Sequence, residues 1–240
     1  MTEGVAEAVS RPKLYAEGFN QSATLPYGLA VDEVRATLEG VYDFLFDLNT
    51  FLVSRGYDRL EDIILGNSLS GFISELVVKG LGANSKTMAR NAKIGGHPDL
   101  IPRGRYPEDS VLRARDGIEV KTSIQGGGWQ GHNPEESWIM VVQYAVDPGL
   151  DADKARRSIE VLKVMCALLE EADWSFSGRV GASRRTPTAS ILKTGTAKLH
   201  ANAIYEHPQY VKNLKRMREQ LDRLHLPPEA FEQQELQADE

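Results

Sequence analysis

Three residues in the middle of the chain have the types and spacing to do chemistry together. Asp99 follows Pro98, and twenty residues later Glu119 and Lys121 stand two apart in the run GIEVKTSI. Residues two apart on a strand project from the same face of a sheet, so Glu119 and Lys121 are expected to point together. Asp99 begins or ends a short strand of its own. Two carboxylates and an ammonium that converge suit Mg²⁺, a hard cation that takes one or two carboxylates and completes its shell with water and substrate phosphate. The lysine then helps to lower the pKa of an attacking water and neutralises charge developing on the phosphate. The chain holds a single Pro-Asp and a single acid-x-Lys triplet, in that order. Chance alone supplies about one or two such triplets in a chain of this size, so the weight lies in the apolar strands that carry both halves. The competing reading makes Glu119 and Lys121 an ion pair on a solvated edge and Asp99 a turn cap. His97, beside the acid, either touches the metal or caps the strand.

These residues need elements to position them. Between Val31 and Val53, Val34, Leu38, Val41, Phe44, Leu45, Leu48 and Leu52 fall at helical spacing. A second helix is expected from about Ser68 to Leu81, capped by Asn67 or Ser68 and stopped by Gly80 and Gly82. Asp99–Ile101, Gly117–Ile124 and Ser137–Val146 read as strands, rich in Ile, Val and Trp and separated by turn-forming segments. The run Ile159–Leu169 fits helix or strand, and its β-branched content favours strand. Tyr210–Leu224 reads as a short amphipathic helix, and the first 25 residues and the acidic tail after Pro227-Pro228 as loosely held.

With these elements in place, Pro98-Asp99 followed by Glu119-Val120-Lys121 resembles the PD-(D/E)xK nuclease superfamily. The surrounding GGHPDLI, GIEVKTS and WIMVVQY look most like Type II restriction endonucleases and related phage or host-defence nucleases. The resemblance implies an α/β, restriction-endonuclease-like fold, a mixed central sheet flanked by helices, with the E-x-K strand antiparallel to the strand that Asp99 starts. It implies Mg²⁺ as cofactor, held by Asp99 and Glu119, with Lys121 orienting or activating water. It also implies a further acid from an upstream helix, a place that Glu75 occupies in ISELVVKGL. Residues 1–66 would be an N-terminal helical segment and 67–170 the nuclease core. Residues 171–240 would form a DNA-recognition segment and C-terminal helix, packed as one domain with the core. Double-stranded DNA is the partner implied, and palindromic sites favour a homodimer, through helix 31–53 or 210–224 unless those helices pack internally.

The formal charge of −6 is no bar to DNA, because charge is unevenly distributed. From Gly178 to His200 there are five bases, Arg179, Arg184, Arg185, Lys193 and Lys198, and no acid. Screening confines each field to about 10 Å, so a local basic stretch attracts phosphate whatever the total. Interleaved hydroxyls make this stretch a candidate DNA contact, with Arg184 or Arg185 reading bases and Lys193 and Lys198 on phosphates; a plain solvated face is the alternative. The glycine-rich loop Gln125–Glu136 offers Trp129 and His132 to DNA, or is a long hairpin loop with a packed Trp.

Other chemistries find no support. The glycines do not form a phosphate-cradling G-x-x-x-x-G-K-S/T loop, and there is no G-x-S-x-G nucleophile elbow. The one cysteine, Cys166, sits in an apolar run and reads as core. No apolar run approaches the roughly 18 residues of a membrane span, and the opening segment lacks a signal-peptide pattern, so the cytoplasm is the expected location. The leading hypothesis is therefore a Mg²⁺-dependent deoxyribonuclease of a restriction system, cutting at a short specific site. A repair or structure-specific nuclease is the second, and a DNA-binding module on the same fold without activity the third.

Overall fold

Helix α1 (Val31–Ser54) forms where the apolar spacing predicts it and buries Val34, Leu38, Val41 and Leu45. Helix α2 (Asn67–Asn84) buries Leu69, Ile73, Val77 and Leu81 against it. The structure is a computed structural model and describes residues 9–64, 66–131, 134–147, 155–176, 189–213 and 215. The two glycines expected to stop α2 lie inside it. A Cβ on Gly80 would come within 2.7 Å of Thr37 Cγ2 on α1, and one on Gly82 within 2.7 Å of the Arg90 backbone nitrogen. They serve close packing and leave the helix intact, and Gly66 takes the N-cap position without a side-chain bond.

The sheet has six strands, β1 (Met88–Arg90), β2 (Leu100–Pro102), β3 (Ile118–Ser123), β4 (Ser137–Ala145), β5 (Glu160–Leu169) and β6 (Ala203–Glu206), ordered β6-β5-β4-β3-β2-β1. Every neighbouring pair is antiparallel except β3 with β4. The chain is thus a mixed α/β fold, a six-stranded mixed sheet flanked by helices. The ambiguous run at 159–169 is strand β5, paired along both edges, which is why it is apolar on both faces.

The parallel β3–β4 pair corrects one expectation. Parallel neighbours need a crossover of a dozen or so residues, so the segment from Ile124 to Glu136 is a crossover and cannot be a hairpin loop. Within it, Gln130–Gly131 pairs with Ala189–Ile191, which also pairs with Trp174–Phe176.

Strand parity divides the interior into two layers. One face, with Ile118, Val120, Met140 and Val142, packs on α1 and α2. The other, with Ile139, Val141, Met165 and Ala167, packs on Trp129, Trp174 and Leu199 of helix α3 (Lys193–Ala201). The N-terminal region is more tightly held than its polarity implies: Val9–Ser10 pairs with Arg156–Arg157, Phe19 bridges to Tyr205, and Val9, Leu14 and Phe19 are buried. No helix among the described residues is long and apolar enough to cross a membrane. Residues 208–213 are helical, and the rest of the expected helix 210–224, apart from Lys215, lies outside the described residues, as does the acidic tail.

Candidate active site

Strand register brings the three residues together. Leu100 faces Ile118 in antiparallel pairing, so Asp99, one residue earlier, comes beside Glu119, one residue later. The backbone N–H of Val120 donates to Asp99 Oδ2 at 2.8 Å, and that of Asn91 to the Asp99 carbonyl at 2.8 Å. Register sets the Asp99 and Glu119 carboxyl groups near enough for the charge of one to act on the other. Lys121 Nζ donates to Glu119 Oε1 at 2.7 Å. This ion pair is not on a solvated edge: the Glu119 side chain is 12% exposed, and β3 has a neighbour on each side. His97 lies between two acids, its Nδ1 3.0 Å from Glu119 Oε2 and its Nε2 2.9 Å from Glu135 Oε1.

The electrostatics follow from burial and neighbours. Burial, and then the charge of Glu119, push the Asp99 carboxyl up to about 7. Burial acts the same way on Glu119, but hydrogen bonds from His97 and Lys121 outweigh it and hold Glu119 well below the usual carboxylate range. The hydrogen bond to Glu119 raises His97, with burial opposing it. Two half-buried carboxyls side by side therefore resist carrying two negative charges together, and Asp99 is the one that holds its proton more tightly.

A hard divalent cation fits this donor set. Each Glu119 oxygen keeps a lone pair beyond those taken by Lys121 and His97. Among the described residues no group of three or more His, Cys, Asp or Glu is arranged to hold a metal. Asp99 and Glu119 would supply two carboxylates, with water and substrate in the remaining positions, as suits a hard cation such as Mg²⁺. A cleft of about 370 Å³ opens here, its walls including His97, Glu119, Lys121, Arg113, Arg115 and Glu135.

Gly117 permits this register. Its φ is +147°, and a Cβ there would run into the Leu100 carbonyl and the Pro98 ring. Gly117→Ala must push the start of β3 away from the Pro98–Leu100 segment, separating Glu119 from Asp99. The expected result is a loss of about a hundredfold in any activity that depends on both carboxyls, larger than the accompanying drop in melting temperature implies. Wild-type activity in Gly117→Ala would show that this approach does not set the site.

Other expected residues lie elsewhere. Glu75 does not join Asp99 and Glu119: α2 packs on the face of Ile118 and Val120, whereas Glu119 and Lys121 alternate to the opposite face. Its carboxylate pairs with Arg90 at 2.6 Å, and the side chain is 68% exposed. Trp129 is not a surface contact for DNA. It is 4% exposed, packs in the second core layer and donates its Nε1–H to the Gln125 carbonyl at 3.1 Å. Lys198 is held by Asp173 at 2.6 Å and Glu170 at 2.8 Å, so a phosphate would have to displace two carboxylates to reach it. Lys193 is exposed at the first position of α3. Arg179, Arg184, Arg185 and His132 lie outside the described residues.

The cleft also contains residues that spacing did not single out. Arg113, Arg115 and Glu135 sit in irregular segments with no periodicity to mark them. The run VLRARDG, two arginines flanking an alanine just before the E-x-K strand, was the available signal. No protein-family model matches this chain, and neither does any curated protein.

Proposed function

We propose that this protein is a Mg²⁺-dependent endonuclease that hydrolyses DNA phosphodiester bonds. One observation carries the reading. Asp99 and Glu119 are half-buried and adjacent across the β2–β3 register, Lys121 lies on the same sheet face as Glu119, and Glu119 and Lys121 line an open cleft. The resemblance to PD-(D/E)xK nucleases adds the substrate class and the expectation of a short specific site.

Asp99 and Glu119 would hold the ion, which when bound supplies charge neutralisation and a water of lowered pKa. The chain's own residues do the positioning. The Val120 N–H fixes Asp99, and His97 and Lys121 fix the two oxygens of Glu119. Lys121 keeps a positive charge at the point where a phosphate would gain negative charge. His97, itself anchored on Glu135, limits rotation of the Glu119 carboxylate.

Incubation with phage DNA and Mg²⁺ tests the proposal directly. Discrete bands that disappear with EDTA are the expected result. A smear keeps the hydrolysis but removes the site specificity. Intact DNA under these conditions, with a correctly folded protein, would overturn the endonuclease reading.

A further inference from the structure

Two loops beside the cleft are locked together. Lys93–Gly96 leads into His97, and Val111–Arg115 runs alongside it. The His97 N–H donates to the Leu112 carbonyl at 3.1 Å and the Ala114 N–H to the His97 carbonyl at 2.9 Å. Buried Asn91 joins both segments, donating to the Val111 carbonyl at 2.8 Å and the Pro98 carbonyl at 3.0 Å, and accepting from the Val111 N–H at 3.1 Å. Gly96 lies so close to the Val111 carbonyl that any side chain would force the loops apart. The pair is thus a rigid unit attached through His97 and Pro98 to Asp99.

Its outer surface has an unusual composition. Lys93, Arg113 and Arg115 are exposed and have no ion-pair partner among the described residues. Two acids close by in sequence are engaged: Asp116 pairs with Arg105 at 2.8 Å, and Asp109 accepts from the Gly104 N–H at 2.6 Å. Ile94 is 96% exposed at the tip of one loop, and Leu112 is 58% exposed on the other. Arg113 and Arg115 line the same cleft as Glu119 and Lys121. Free guanidinium forks bind phosphate oxygens in bidentate fashion. Exposed apolar side chains on the same two hydrogen-bonded loops suit the sugar and base edges of a groove.

From this arrangement we infer that loops 93–96 and 111–115 form one rigid DNA grip at the mouth of the cleft. Arg113 and Arg115 take backbone phosphates beside the one to be cleaved, while Ile94 and Leu112 contact the groove wall. The inference takes its ligand from the endonuclease reading, but its test is one of binding alone.

The experiment is fluorescence anisotropy of a labelled duplex against the full chain, without Mg²⁺, over a series of KCl concentrations. Arg113→Ala/Arg115→Ala is expected to weaken binding at least about tenfold and to flatten the log–log salt slope by about two, one per lost phosphate contact. Ile94→Ser is expected to weaken binding severalfold with the slope unchanged. Arg113→Lys/Arg115→Lys, which keeps the charges, should retain the slope and so exclude misfolding as the cause. Wild-type affinity and slope in the double alanine variant would overturn the grip even if the enzyme still cuts DNA. Lack of DNA binding by the wild type would overturn it as well. A wild type that binds through these arginines but never cuts leaves the grip standing and removes the endonuclease reading.

Discussion

Asp99→Ala and Glu119→Ala are each expected to lower the proposed Mg²⁺-dependent cleavage by about a thousandfold or more, a barrier increase of about 4 kcal/mol. Lys121→Ala belongs with them, because it leaves Glu119 without the cation at 2.7 Å and the phosphate without a neighbouring positive charge. Affinity for DNA behaves differently. The two acids repel phosphate until a cation is bound, so Asp99→Ala is expected to bind duplex as tightly as wild type or more tightly without Mg²⁺. Ca²⁺ should support binding without cleavage, its looser shell placing water poorly. Rates on a cut plasmid, measured beside melting curves, check these outcomes. Full activity in an Asp99→Ala/Glu119→Ala double variant would refute the assignment of these residues.

The second large effect is on stability. Without divalent metal, the melting temperature should fall as pH rises from about 6 to about 8. Asp99 goes from an ordinary 3.8 to about 7 in the fold, so the folded chain binds that proton more tightly than the unfolded chain does. A raised pKa contributes stability that is complete below the unfolded value and lost as pH passes the folded value. His97, also raised, acts in the same direction above 6.5. Glu119 is lowered, and its contribution is lost only as pH falls below the usual carboxylate range, outside this window. Over this window the Asp99 effect is about 1 kcal/mol, or about 3 °C for a chain of this size. Mg²⁺ added at about pH 8 should restore much of the loss, since it binds the folded state alone. Asp99→Asn removes the carboxylate, so it should melt higher than wild type at that pH and respond little to Mg²⁺. A melting temperature independent of pH and of Mg²⁺ in the wild type would refute this account of the buried pair.

Much of this architecture follows from local pattern. Apolar spacing of 3.6 locates α1 and α2, and β-branched runs locate β2 to β5, because both periodicities are properties of short segments. The same rule put Glu119 and Lys121 on one face, and a short strand either side of a turn region put Asp99 within reach. Local pattern does not reveal which face of the sheet each helix covers. Glu75 stands at a plausible distance in sequence, yet the apolar stripe of α2 docks on Ile118 and Val120, and strand alternation then places Glu119 on the far side. Trp129 lies in a glycine-rich stretch that reads equally as a mobile loop offering it to DNA or as a hairpin loop with a packed Trp. Parallel pairing of β3 and β4 makes that stretch a crossover, and Trp129 packs from it onto the sheet face of Ile139 and Val141. Gly80 and Gly82 look like helix stops until the neighbours that require their missing side chains are known. Arg113, Arg115 and Glu135 belong to irregular segments whose placement depends on hydrogen bonds from Asn91 and His97 rather than on any repeat. Local pattern thus sufficed for α1, α2 and strands β2 to β5, and for setting Glu119 beside Lys121 with Asp99 on a neighbouring strand, but it marked neither β1, α3 nor β6. The rest of the cleft was decided by tertiary structure, because it depends on which surfaces pack together, and packing is a relation between segments distant in the chain.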